Sequence, residues 1–171
     1  MKLRSILFGC FLFLAFGGWS QNQFAFGVDG GTVAPNGSSF SDSLRIGYSL
    51  SFRAEVLKRL WTGATYSRYS RTDDGARSSL NPITGFAEYR FFDKRITPTA
   101  RVDAGFYIRR TVADNEVSDA NLDFGFAAGA GVLYKVSDGL VVSALAMQHY
   151  LYRNDALLPM LAFSIGVRTA F

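Results

Sequence analysis

The residues of this chain best placed to do chemistry are charges set at alternate positions. Arg45 and Arg53 stand an even number of residues apart, as do Arg101, Asp103 and Arg109, and Asp123 and Lys135. Side chains spaced by two share one face of an extended strand. With Asp29, Glu55, Glu88, Arg90 and Arg168 they make a near-balanced set of cations and anions, the composition of an ion-pair network. Catalytic constellations are thinner. The sole histidine, His149, sits in Gln148-His149-Tyr150-Leu151, and the sole cysteine is Cys10. No zinc or calcium-loop spacing, P-loop or dinucleotide fingerprint occurs, so neither a metal nor a cofactor is expected. Asp73-Asp74-Gly75 reads as a turn, and Gly129-Ala130-Gly131 falls in mid-strand.

The charges need strands to hold them, and the chain supplies two-faced segments throughout. Gln23–Gly31 sets Phe24, Phe26 and Val28 against Ala25, Gly27 and Asp29. Leu44–Ala54 sets Ile46, Tyr48, Leu50 and Phe52 against Arg45, Gly47 and Arg53. Pro98–Arg109 and Leu122–Val136 repeat the pattern, with Val102, Phe106, Phe124, Phe126 and Val132 opposite the charges and glycines. The last eleven residues, Leu161 to Phe171, alternate without a break. A helical period cannot keep such sets on one face. Leu60–Ser70, Asn81–Phe92 and Leu140–Leu151 fill the gaps at the right spacing with ambiguous facing; in Leu60–Ser70 the set Leu60, Thr62, Ala64 and Tyr66 is slightly the better outer face. The total is eight strands of about ten residues.

The ends of the chain indicate a compartment. Met1-Lys2-Leu3-Arg4-Ser5, an apolar run from Ile6 to Phe16, and small residues before a cut ahead of Gln21 read as a secretory signal peptide over residues 1–20. Leu7-Phe8-Gly9-Cys10 looks like a lipoprotein cleavage box, but the apolar run continues past Cys10 and leaves almost no core before it. Cleavage would remove Lys2 and Arg4, leaving 16 basic residues against 14 acidic ones and lowering the net charge from +4 to +2. No Lys/Arg cluster stands clear of the acids, so the pI of 9.4 is no nucleic-acid footprint. Residues 21–171 are expected to form one domain, strand-rich at 15% aromatic with four prolines.

An even number of antiparallel strands with one apolar face is what a closed barrel through a bilayer requires, because no backbone group can go unpaired there. A secreted soluble barrel would alternate too, yet it buries its apolar face and shows charge outside. Here the small, charged face would point into the lumen, with glycines such as Gly27, Gly125 and Gly166 leaving room. Short connections are expected at Leu57–Arg59, Asp93–Arg95 and Ser137–Gly139, on the periplasmic side with both termini. Longer polar loops are expected over Thr32–Ser43, Arg71–Leu80, Thr111–Asn121 and Tyr152–Pro159, facing outward. Aromatics gather toward both rims, with Phe52, Trp61, Phe91, Phe92 and Tyr134 at one and Tyr48, Tyr66, Tyr69, Tyr150 and Tyr152 at the other.

On these segments and the terminal Phe171, the chain resembles the small porin-like outer-membrane β-barrels of Gram-negative bacteria, the group of OmpA-type barrel domains and OmpX-type proteins. The Ser20-Gln21 junction looks like those of Bacteroidota exports. The resemblance implies outer-membrane lipid and the β-barrel assembly machinery as partners, no nucleic acid, a monomer, and Phe171 as the signal that machinery reads. Unlike the OmpA type, the chain is expected to lack a peptidoglycan-binding domain. Some members cleave lipid A acyl chains with a His and a Ser, but His149 lacks the His-x-Ser spacing of that type, and with no nearby hydroxyl to activate, no enzyme is expected. The remaining expectation is a structural or ligand-presenting barrel with a polar, plugged lumen, the alternatives being a narrow porin-like channel and a lipid A hydrolase.

Overall fold

The structure, a computed structural model, describes residues 23–36, 44–73, 76–113, 116–153 and 156–170, so the expected signal peptide and Phe171 lie outside the described residues. Eight strands follow one another: β1 (Phe24–Pro35), β2 (Arg45–Leu57), β3 (Leu60–Asp73), β4 (Ala76–Arg90), β5 (Ile96–Ala113), β6 (Glu116–Ser137), β7 (Leu140–Arg153) and β8 (Ala156–Ala170). Each pairs antiparallel with its neighbour in sequence, and β8 returns to pair with β1 from Ala25↔Ala170 to Pro35↔Met160. The sheet is a closed barrel without a free edge.

Alternation becomes an inside and an outside. Phe26, Val28, Leu50, Phe52, Phe106 and Ile165 are exposed on the outer surface, while their neighbours Gly27, Asp29, Ser51 and Gly166 are buried. The ambiguous segments also resolve. On β3, Ala64 and Tyr66 face out, and Trp61, Thr65, Ser67 and Tyr69 face in. Trp61 and Tyr69, expected in the aromatic rims, are thus interior residues, because their parity matches that of the buried hydroxyls between them. On β4 the inward set is Leu80, Pro82, Thr84, Phe86 and Glu88, and on β7 it includes Ser143, Met147 and Leu151. Pro82 has no N–H to give, and β3–β4 pairing lapses there, between Tyr66↔Ile83 and Tyr69↔Leu80.

Three of the longer connections differ from the expected loops. Strand pairing continues through Arg71↔Ser78 to Asp73↔Ala76, through Thr111↔Asp119 to Ala113↔Glu116, and through Tyr152↔Leu157 to Arg153↔Ala156. β5 and β6 thereby reach 18 and 22 residues. Polar composition marked where these hairpins leave the apolar band, but a hairpin in water keeps its ladder. Of the first connection, residues 37–43 lie outside the described residues.

The opposite rim is built from tight turns. Lys58-Arg59 links the pair Leu57↔Leu60 and Asp138-Gly139 links Ser137↔Leu140, each just after a register shift, between Glu55 and Leu57 or between Lys135 and Ser137. Arg59 adopts φ 71°, the left-handed region, at the place Gly139 occupies in the other turn. Its amide donates to Glu55 Oε1 at 2.8 Å, and its carbonyl accepts from the Arg90 amide at 2.8 Å. A non-glycine residue pays roughly 1–2 kcal/mol for that conformation. Arg59→Gly keeps both backbone bonds and is expected to raise stability by about 1 kcal/mol, read as a higher unfolding midpoint in detergent; an unchanged or lower midpoint would mean that the Arg59 guanidinium, 3.3 Å from the Phe91 carbonyl, outweighs the backbone cost.

Candidate functional site

Inward side chains stack in layers along the barrel. In the half nearer the tight turns, Glu88 on β4 is completely buried. Arg53 on β2 reaches both its oxygens at 3.3 Å, and Arg168 on β8 reaches them at 3.0 and 3.1 Å. Arg90 approaches to 3.7 Å, its guanidinium lying 3.9 Å from the centroid of the Trp61 ring. One carboxylate on β4 thus ties down cations from β2, two strands round the barrel, and from β8, opposite it. Ser51 accepts a further bond from Arg53 at 2.8 Å.

Beside this clamp a second pair forms within β5. Arg101 binds Asp103 with two bonds of 2.7 Å, the planar fork matching the carboxylate, and also donates to Thr65 Oγ1 at 2.8 Å. Thr84 donates to the same carboxylate at 3.2 Å. Phe86 lies against the guanidiniums of both Arg101 and Arg53, at 4.0 and 5.1 Å from its ring centroid. Across the lumen, Asp29 accepts from Ser143 Oγ at 3.0 Å. A Cβ on Gly166 would collide with the Asp29 carboxylate, so glycine is what admits that charge to the interior.

The next layer is apolar, and sequence reasoning missed it. Val33, Leu80, Tyr107, Met147, Leu151 and Met160 pack together inside the barrel. The signal was present in β4, β7 and β8, where apolar residues occupy both parities, as they do when a strand is covered on both faces. Gly125, read as space for a charged chain, is space for the Tyr107 ring, which a Cβ there would touch at 2.8 Å. Tyr107 Oη lies 2.8 Å from His149 Nδ1, so the histidine has a hydroxyl partner after all, though a phenol held in the same packing. Between the charged and apolar layers is a cavity with about 40 Å³ of room, lined by Ser49, Ser67, Thr84, Asp103 and His149 among others. That volume holds a few waters.

A last polar layer closes the far end: Arg109 pairs with Asp123 at 2.6 Å, and Arg45 donates to Ser78 at 3.3 Å. Two residues stand apart from where sequence parity put them. Lys135 is half-exposed beyond the lumen and pairs with Asp138 of the turn at 2.9 Å, a hydrogen bond that draws the Asp138 carboxyl below its ordinary value. Lys135 is still in register with Val141, but it is the last such position before the turn, and its side chain leaves the lumen at the rim. Glu55 likewise serves its turn, accepting the Arg59 amide. Among the described residues no three of His, Cys, Asp and Glu converge as a metal site would need.

No family model matches the chain, and no curated protein matches it. Solved structures do. Neisserial surface protein A superposes with a TM-score of 0.69 at 17% identity, over 88% of this chain and 97% of that one. The N-terminal β-barrel domain of OprF from Pseudomonas aeruginosa gives 0.62 at 14% identity, over 88% and 100%. The attachment invasion locus protein Ail of Yersinia pestis, in complex with the heparin analogue sucrose octasulfate, gives 0.60 at 15% identity, over 88% and 97%. What is shared is the fold, the eight-stranded antiparallel barrel of small outer-membrane proteins.

The charged layer makes its own prediction. Removing one partner of a buried pair strands the others, at a cost of about 3–5 kcal/mol, whereas replacing the whole cluster by apolar groups is far milder. Glu88→Ala and Arg101→Ala are each expected to lower stability by that order, and Arg53→Met/Glu88→Leu/Arg168→Met to recover most of the Glu88 loss. Urea unfolding in detergent reads this; a Glu88→Ala midpoint equal to wild type would mean that Arg53 and Arg168 were already solvated.

Proposed function

We propose that a chain with this fold is an outer-membrane protein acting as a closed structural or surface-display barrel. It is neither a pore nor an enzyme. The observation that carries the reading is the filled lumen: the Glu88 clamp blocks one half and the packing of Leu80, Tyr107, Leu151 and Met160 blocks the other. With eight strands the interior is only just wide enough for side chains. The cavity between the layers is lined by buried Arg101 and Asp103 as well as by Met147.

The membrane location rests on the outer surface. Ile46, Val102, Phe124 and Ile165 are more than half exposed, which a barrel in water could not sustain as a continuous belt, and lipid is the solvent that suits them. The signal peptide over residues 1–20 and Phe171 as the mark read by the β-barrel assembly machinery complete the route, and the barrel works as a monomer with no nucleic acid or cofactor. His149 is a packing residue, because its Tyr107 partner sits in the apolar layer where no acyl chain reaches it. What the barrel offers a ligand is its projecting hairpins, above all β5–β6, the longest.

Planar bilayer recording of the refolded mature chain tests the closed lumen: no steady conductance is expected from wild type, and none from His149→Ala. Regular ion-selective openings in wild type would replace this reading with a narrow channel. Deleting Phe171 is expected to cut the level in the outer membrane severalfold while leaving the chain exported; accumulation equal to wild type would remove its role as an assembly signal.

A further inference from the structure

The lumen mouth away from the tight turns holds arginines that the layers beneath do not use. Arg45 on β2, Arg71 on β3 and Arg109 on β5 share the inward parity of Ser49, Tyr69 and Tyr107 on their own strands. Ser78 on β4, of the same parity as inward Leu80, is where they meet. Arg45 Nε donates to Ser78 Oγ at 3.3 Å, crossing β3 to reach it. Arg71 is paired directly with Ser78, and Thr111, two residues along β5 from Arg109, is paired with Ser78 from the other side. The register that sets Ile46 against Ser70 brings Arg45 level with Arg71 as well. Opposed residues of an antiparallel pair lie about 5 Å apart, so the three long side chains are within reach of one another. The charges of Arg109 and Arg71 accordingly both oppose that of Arg45.

The acids at hand do not balance them. Among the described residues, Asp123 takes Arg109 Nε at 2.6 Å and Asp73 takes Arg71 Nη2 at 2.7 Å, whereas Arg45 has a neutral hydroxyl and no carboxylate. Arg109 Nη2 is buried with no hydrogen-bond partner among those residues. An excess cation beside a buried, unmet N–H is costly, and an acceptor carrying negative charge relieves both.

The place is a cup, open above and closed below. The side chains of Arg71 and Arg109 are 25% and 24% exposed, so a solute can touch them. Leu80, two residues from Ser78 along β4, packs with Tyr107 and Leu151 in the apolar layer that forms the floor. A ligand enters and leaves by the same mouth, from water and not from lipid, because the three arginines are on the lumen side. Guanidinium forks held on strands, with a hydroxyl between them, match a tetrahedral oxyanion, whose several oxygens accept from more than one arginine.

We infer that Arg45, Arg71 and Arg109, with Ser78, form a binding site for a small soluble oxyanion of the phosphate or sulfate class in the mouth of the closed barrel. The site needs only the barrel and is independent of the membrane location proposed above. Calorimetric titration of the refolded mature chain in an uncharged detergent, with phosphate, sulfate and chloride at constant ionic strength, tests it. Wild type is expected to bind one of the two oxyanions about tenfold more tightly than chloride, and the tighter of the two names the ion. Arg45→Gln is expected to weaken that binding about tenfold, the worth of one charge-assisted contact. Arg68→Gln, which removes the same charge from the exposed outer face of β3, is expected to leave it unchanged.

A wild-type chain that binds neither oxyanion more tightly than chloride overturns the site without any variant having to fold. An equal loss in Arg68→Gln also overturns it, since net charge alone would then explain the attraction. Undiminished oxyanion binding by Arg45→Gln, in a barrel with the wild-type unfolding midpoint, removes the site from this mouth.

Discussion

Eight strands closed on themselves leave a lumen about as wide as the side chains that fill it. A charge pointing inward cannot keep its hydration shell, and leaving it unpaired in such a place costs several kcal/mol. The arrangement around Glu88 answers that constraint: one acid receives Arg53 and Arg168 from β2 and β8, so ionised groups stay ionised by binding across the lumen instead of binding water. Small residues are then required wherever a long chain must pass. Ser51, Gly27 and Gly166 sit beside the guanidiniums and the Asp29 carboxylate for that reason.

The same narrowness explains why the interior is layered. Once Glu88 and Asp103 have taken their partners, the remaining inward positions hold Leu80, Tyr107, Leu151 and Met160, which pack on one another as a soluble core would. The barrel is thus apolar on the outside throughout its middle and apolar on the inside over part of its height. A polar lumen is not a requirement of the fold, only of the stretch where charges are present.

Much of this was legible in the chain. The alternation in β1, β2, β5, β6 and β8 gave their facing and most of the inward charges, since period two is a strong signal when one face is bulky and the other small or charged. β3, β4 and β7 were harder, because Trp61 and Tyr69, Leu80 and Phe86, and Met147 and Leu151 put large groups on the inner face as well. Parity by itself cannot see where the lumen ends, which is why Lys135 and Glu55, still in register with Val141 and Trp61, read as lumen residues and serve turns. Nor does composition separate a loop from a strand that has merely left the membrane, as the extensions of β5 and β6 show.

The seam between β1 and β8 has a kinetic consequence. Every other pairing joins strands consecutive in the chain, and each of those hairpins closes only a short loop. The seam alone joins the two ends of the domain, from Ala25↔Ala170 to Pro35↔Met160. Loop-closure entropy therefore concentrates in a single late step of otherwise local assembly. Until that step, β1 and β8 both carry unpaired edges, and Asp29, whose hydroxyl donor Ser143 lies on β7, stays without that bond. Closing the seam pairs the last backbone groups and buries that carboxylate together.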